Sequence, residues 1–459
     1  MKVELASINN MDIHQKADFM QDFYEKVLFS PSGIVYCMQK IDGKEIRPLC
    51  PEDFDGCVAP EFSHWGPRVP ESAAAYYTNE NSITTSGLYL AAQCYRYSVT
   101  GSDKALEEAY KAFNSLWKIF KLSADDGNPG FMCKPYGFKI SNQTSGDQYL
   151  HASWGMFEFY PLADDGTKAK IVEMSVAFAD YWRKADYVLT YCSNHWDMKE
   201  DVYSYNAILV MLNMTAWHYT NNQTYHNEAQ KLFKTGKWHI ETNLDEIKHK
   251  YISILDSAKT GEKTVKGGYS DLYADYLGEE EFLFWEANFL CQFVTIAADI
   301  IYRIEPDFIA EYMPAITCKW MDIWEYGVSD DYAPYYWYAI NVRTDEWRSL
   351  PLTPLLPKEK WPYAEKFMGY LSGIRWGEPL ARFMQTAELA YIYSGKKSEA
   401  KSLALNIMNA VDETRVRWLF DFDGEQLLPD LRHMYDILSS EVTPTWLATY
   451  WRGRHIGII

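Results

Sequence analysis

The sequence predicts an all-α protein folded as an (α/α)6 toroid, a six-hairpin barrel with long loops at one end. Three observations predict it. Helical segments come in sequential pairs joined by short polar turns, the first helix of each pair is apolar over much of its circumference, and the connections between pairs are long and uneven. A helix that is apolar all round must be buried on more than one side. Alternation of such helices with half-buried ones is what two concentric helical layers require.

The first pair reads Ser82 to Thr100 and Ala105 to Leu122, turning at Gly101-Ser102-Asp103. Its second helix sets Leu106, Ala109, Tyr110, Phe113, Leu116, Trp117 and Phe120 on one stripe, the pattern of an outer-layer helix. The second pair reads 145–160 and 168–189 around Asp164-Asp165-Gly166, and the third 203–219 and 224–240 around Asn221-Asn222. The fourth reads 280–304 and 308–324, broken at Glu305-Pro306-Asp307, and the fifth 378–393 and 399–411 around Ser394-Gly395-Lys396-Lys397. A sixth forms if 445–452 pairs with the N-terminal helix at 15–28, so that segment 1–80 packs on or closes a single domain spanning 1–459. An open α-solenoid would show regular periods, whereas starts at 82, 145, 203, 280, 378 and 445 are irregular.

In sequential antiparallel hairpins, every connection between pairs emerges where an inner helix begins. Long loops in a compact domain are usually functional, so that end is the expected site. The 17 Trp and 35 Tyr exceed what a helical core needs and suit a surface that meets a partly apolar, hydroxyl-rich ligand such as sugar. A net charge of −19 repels nucleic acid. No run of 18 apolar residues and no signal-peptide pattern is present, so the expected setting is cytoplasmic, without a membrane. The eight cysteines are scattered without zinc spacing, and HExxH, GxSxG, P-loop and GxGxxG patterns are absent; neither a metal nor a cofactor is expected.

Candidate residues follow from the mouth. Asp147 opens the second inner helix in Asn142-Gln143-Thr144-Ser145-Gly146-Asp147-Gln148, where burial under aromatic loops would raise its pKa and suit it to protonate a glycosidic oxygen. The plainer reading makes Ser145 an N-cap and Asp147 a first-turn acid favoured by the helix dipole. Glu80, just before the first inner helix, is the natural second carboxylate, with Asn81 and Gln148 as neighbouring substrate contacts. His151 lies on the face of Asp147 at i+4, and His195 sits in the third mouth loop; either is a sugar contact or a packing residue. Trp285, Tyr336, Trp337 and Trp376 form the expected sugar platform. Among the mouth arginines, Arg382 and then Arg343 are the candidates to pair with a uronate carboxylate.

The stretches NENSITTSGLYLAAQCYRYSVTGSDKALEEA, NQTSGDQYLHASWGMFEFYPLA and WLATYWRGRHIGI resemble the six-hairpin glycosidase superfamily, which includes unsaturated glucuronyl hydrolases, related uronidases and N-acylglucosamine 2-epimerases. The resemblance implies a general acid/base aspartate at the start of an inner helix, a role that falls on Asp147. The second active-site aspartate of the unsaturated uronyl hydrolases has no counterpart, since Asn79, Glu80 and Asn81 stand about where it would be. The epimerases rely on paired histidines, which His151 and His195 imitate if both face the cavity. The expectation is therefore a glycoside hydrolase trimming a small, uronic-acid-containing oligosaccharide. The alternatives are a sugar epimerase or isomerase of the same fold, and a non-catalytic carbohydrate-binding toroid.

Overall fold

The structure, a computed structural model, describes residues 4–54, 72–191, 194–199, 203–235, 277–278, 280–284, 287–318, 338–341, 343–344, 346–349, 377–413, 416–418, 437–438 and 442–459. In chain order its helices are α1 (Ile13–Val27), α2 (Ala73–Asn79), α3 (Ser82–Thr100), α4 (Asp103–Asp125), α5 (Gly146–Phe159), α6 (Asp165–Lys184) and α7 (Tyr203–Thr220). They continue as α8 (Gln223–Thr235), α9 (Ala287–Ile304), α10 (Pro306–Ile309), α11 (Gly377–Tyr393), α12 (Lys397–Ala410) and α13 (Val442–Ile456).

Six of these close a ring: α3 packs on α5, α5 on α7, α7 on α9, α9 on α11, α11 on α13, and α13 back on α3. Outside them, α4 packs on α3, α8 on α7, α12 on α11 and α1 on α13. The layers follow from composition. Along α3 every residue from Ser82 to Tyr95 is buried, whereas α4 buries one stripe including Ala109, Ala112, Phe113, Leu116, Ile119 and Phe120. The first pair ends its inner helix on Gly101 at φ 63°, a left-handed C-cap that costs glycine little. At α1 a capping box joins Asp12 and Gln15 and satisfies the first free N–H groups.

The contact between α3 and α5 is made backbone to backbone. A Cβ at Gly87 would stand 2.2 Å from the carbonyl oxygen of His151, and one at Gly155 would stand 2.6 Å from the carbonyl oxygen of Gly87. These two glycines let the turn that carries His151 lie directly against α3.

Short strands, which the helical reading omits, occupy the connections between pairs. Strands β1 (Gln39–Asp42) and β2 (Glu45–Pro48) form a sheet with β8 (Arg417–Trp418) and β9 (Ile437–Leu438), in the antiparallel order β2-β1-β9-β8. Strand β3 (Val188–Tyr191) pairs with β4 (Asn194–Asp197), and β5 (Glu281–Phe284) with β6 (Tyr338–Asn341), which also pairs with β7 (Trp347–Ser349). Two helix boundaries move accordingly. The second outer helix stops at Lys184, because Val188 and Leu189 enter a hairpin, and the fourth inner helix starts at Ala287, because Glu281 to Phe284 pair with β6. A short apolar run does not distinguish strand from helix by periodicity. Among the described residues no helix is long and apolar enough to cross a membrane.

Candidate active site

Three inner helices begin at the mouth with polar residues where the chain is otherwise apolar. Glu80 and Asn81 lead into α3, Asp147 and Gln148 open α5, and Arg382 sits in the second turn of α11. Glu80, Asn81, Gln148, His151 and Arg382 are buried, and Asp147 is half-buried. Burying this many polar groups is costly unless they satisfy one another or a ligand.

They are knitted closely. Gln148 donates through Nε2 to Asn81 Oδ1 at 2.8 Å and to Asp147 Oδ2 at 2.8 Å, so the starts of α3 and α5 are cross-linked by one amide. Thr84 Oγ1 donates to Asp147 Oδ2 at 3.2 Å, and its backbone N–H donates to Gln148 Oε1 at 3.3 Å. Ser145, expected to cap α5 through its side chain, makes no such bond and instead donates to Asp147 Oδ1. Asp147 is thus held as an acceptor of three side-chain donors.

Burial by itself would push the Asp147 carboxyl up, as the sequence reading expects. The charge of Lys134, the Ser145 hydrogen bond, His151 and Arg382 outweigh it and hold the carboxyl below its ordinary value. Asp147 is therefore ionised across the physiological range. An anion here accepts protons and hydrogen bonds, and it does not supply the proton that leaving-group protonation needs.

Lys134 is the residue the sequence reading misses. It lies in the connection between the first two pairs, buried, and forms an ion pair with Glu80, which places Glu80 in a charge-neutralised pair beside Asp147. The loop is fixed by Lys134 N–H donating to Gln143 O at 2.8 Å and Ser141 Oγ donating to Lys134 O at 2.6 Å. Its signal in the sequence is a lone lysine in the otherwise apolar Phe131-Met132-Cys133-Lys134-Pro135 run.

His151 is buried one turn below Asp147, with Nδ1 2.8 Å from the Asp147 carbonyl oxygen. A carbonyl oxygen only accepts, so the hydrogen-bond network assigns a proton to Nδ1.

The other sequence candidates fall elsewhere. His195 is in β4, opposite Thr190, and the position of its side chain lies outside the described residues, as do Trp285, Tyr336, Trp337 and Trp376. Arg343 is exposed at the turn after β6, 3.7 Å from Glu280, and Arg348 is exposed and pairs with Glu281 at 2.6 Å. Arg382 alone of these three sits close enough to Asp147 to act on its charge. Among the described residues no group of three His, Cys, Asp or Glu side chains is placed to hold a metal ion.

No known family profile matches the chain, and no curated protein does. Its structure is similar to a sugar epimerase from a ruminal bacterium, covering 97% of this chain and 98% of that one with a TM-score of 0.51 and 12% sequence identity. A D-mannose isomerase aligns over 95% of this chain and 96% of its own, with a TM-score of 0.47 and 11% identity. At this identity the first likeness shows the fold, an all-α toroid.

Proposed function

We propose that the protein is a sugar isomerase or epimerase, which moves a proton at the carbon beside the carbonyl of an open-chain sugar. The observation that carries this reading is His151: a buried imidazole oriented by its Nδ1–H bond to the Asp147 carbonyl, on the same helix face as an ionised carboxylate. The likeness of the fold to that of a sugar epimerase supports it.

The chemistry runs as a proton transfer. Nε2 of His151 takes the proton from C2, and the electron pair of the broken C–H bond moves to form a C1–C2 double bond while the carbonyl oxygen becomes an enediolate oxygen. The positive charge of Arg382 stabilises the developing oxyanion, and such preorganised charge is usually the largest single contribution to catalysis. Asp147 accepts hydrogen bonds from the sugar hydroxyls. Return of the proton to C1, with the O2 proton passing to O1, gives the ketose and needs only one proton carrier at carbon. Epimerisation at C2 needs a second carrier on the opposite face, the role that a histidine pair with His195 would fill.

Glycoside hydrolysis, the activity implied by the resemblance to uronidases, asks the same aspartate to be protonated. The sign of the Asp147 shift runs the other way. Incubating the protein with unmodified aldoses in D2O separates the two by proton NMR. Loss of the C2–H signal with appearance of ketose or epimer, abolished in His151→Asn, is the expected result. Release of nitrophenol from aryl glycosides or cleavage of unsaturated disaccharides, with no exchange at C2, would overturn it.

A further inference from the structure

At the far end of the barrel from the mouth, where the inner helices finish, the structure holds a second polar cleft of about 260 Å3. Five inner helices contribute to it: Tyr95 from α3, Glu158 from α5, Asp299 and Arg303 from α9, Tyr393 from α11 and Arg452 from α13. Nothing in the proposed reaction uses these residues.

The floor is a charge-balanced network. Arg303 forks onto Glu158, with Nη2 donating to Oε2 at 3.1 Å, and Arg452 Nη2 donates to Asp299 Oδ2 at 3.1 Å. Tyr95 donates to Glu158 Oε1 at 2.8 Å and Tyr393 to Asp299 Oδ1 at 2.6 Å. Two carboxylates face two guanidiniums. Glu388, fully buried near Arg452 and outside the cleft lining, has its carboxyl raised well above the ordinary range by burial. The lip is apolar, made by Pro161, Leu162, Ile392 and Ile456. Ile392 is one of two large hydrophobic side chains exposed among the described residues.

Each feature restricts the ligand. A floor with no net charge gives no advantage to an anion or a cation, yet planar carboxylate and guanidinium groups keep lone pairs and N–H groups for hydroxyls. An apolar lip around a polar floor fits a molecule with one hydroxylated edge and one C–H face. Pockets for drug-sized ligands measure roughly 300–1,000 Å3, so a slightly smaller one holds one ring. We infer that this cleft is a second, non-catalytic saccharide site that takes a single neutral hexose unit.

The inference stands whether or not His151 moves a proton, and methyl NMR separates the two ends. Ile392 and Ile456 report the cleft, and Ile208, whose Cδ1 lies 3.4 Å from where a Cβ on Gly146 would stand, reports the mouth. Titration with D-glucose to ~50 mM should shift the Ile392 and Ile456 methyls along a saturable curve, since a one-ring ligand binds at about millimolar strength. Ser98 lines the cleft from an exposed position on α3. Ser98→Trp should fill the space and abolish those shifts, leaving the response of Ile208 and the circular dichroism unchanged. D-glucuronate and D-glucosamine should bind the cleft at least about threefold more weakly, as charged ligands that must shed water at a site offering no net countercharge. Methyls that stay in place with glucose, persistence of the shifts in Ser98→Trp, or equal binding of a charged sugar would each overturn the assignment.

Discussion

Gly87→Ala tests the contact on which the position of His151 depends. The added Cβ would stand 2.2 Å from the His151 carbonyl oxygen, where ordinary contact begins at 3.4 Å, so α3 and α5 must part by about 1 Å. Both obstacles are backbone atoms within helices, which rotamer changes cannot relieve. Overpacking costs about 1–3 kcal/mol where side chains give way, and here the upper end applies. Replacing glycine in a helix interior returns about 0.5–1 kcal/mol, leaving a net loss near 2 kcal/mol. At roughly 2–4 °C per kcal/mol in a large domain, the melting temperature should fall by about 4–8 °C in calorimetry. Gly101→Ala is the control: its φ is 63° and nothing lies within 4 Å, so it carries only the left-handed cost of about 1 kcal/mol. Turnover at 25 °C should also drop in Gly87→Ala, because the same movement displaces His151, and should hold in Gly101→Ala. A Gly87→Ala protein that melts at or above the parent would refute the backbone contact.

Three further outcomes can be checked. Lys134→Met leaves Glu80 buried without its cation and should destabilise by about 3–5 kcal/mol in urea, whereas Lys134→Met combined with Glu80→Gln should recover much of the loss. Asp53 is lowered to about 2: burial would raise it, but Arg47, at 2.6 Å, and the Cys50 N–H, at 2.8 Å, outweigh that. Its folded-state pKa is depressed, so its contribution is present above the unfolded value of 3.8 and lost as pH falls toward about 2; Asp53→Asn should flatten the urea midpoint across that window, and an unchanged slope would count against the pairing. Asp147→Asn should keep the fold and lower kcat/KM for an aldose by about tenfold or more through lost charge-assisted hydrogen bonds, with C2 exchange by His151 still detectable; full activity would remove Asp147 from the site.

The ring was legible because its inner helices must be apolar on several sides, and runs such as Leu88 to Cys94 and Ala207 to Met214 state this directly. The sequence reading paired 445–452 with 15–28 to complete the sixth hairpin, and α1 and α13, which contain those segments, are in contact. What the sequence hid depends on contacts between residues distant along the chain. The sign of the Asp147 shift is decided by Lys134 from a loop and Arg382 from the fifth pair, and no local pattern announces that they converge. Ser145 reads as an N-cap by type, but its hydroxyl is drawn to the carboxylate two residues on. The strands at Val188 and Glu281 are too short for their period to compete with that of a helix.

The packing of α13 against α3 has a consequence for how the molecule is made. Every other neighbouring pair in the ring can form as the chain lengthens, but this one joins segments separated by about three-quarters of the sequence. Until α13 is synthesised, α3 and α11 each lack one ring neighbour, and α1 is held by α3 through Gln21, Tyr24 and Glu25 without the second surface it covers. The nascent protein therefore carries an open helical arc with two sticky ends for most of its synthesis. Such an arc can meet the ends of another copy as readily as its own last helix.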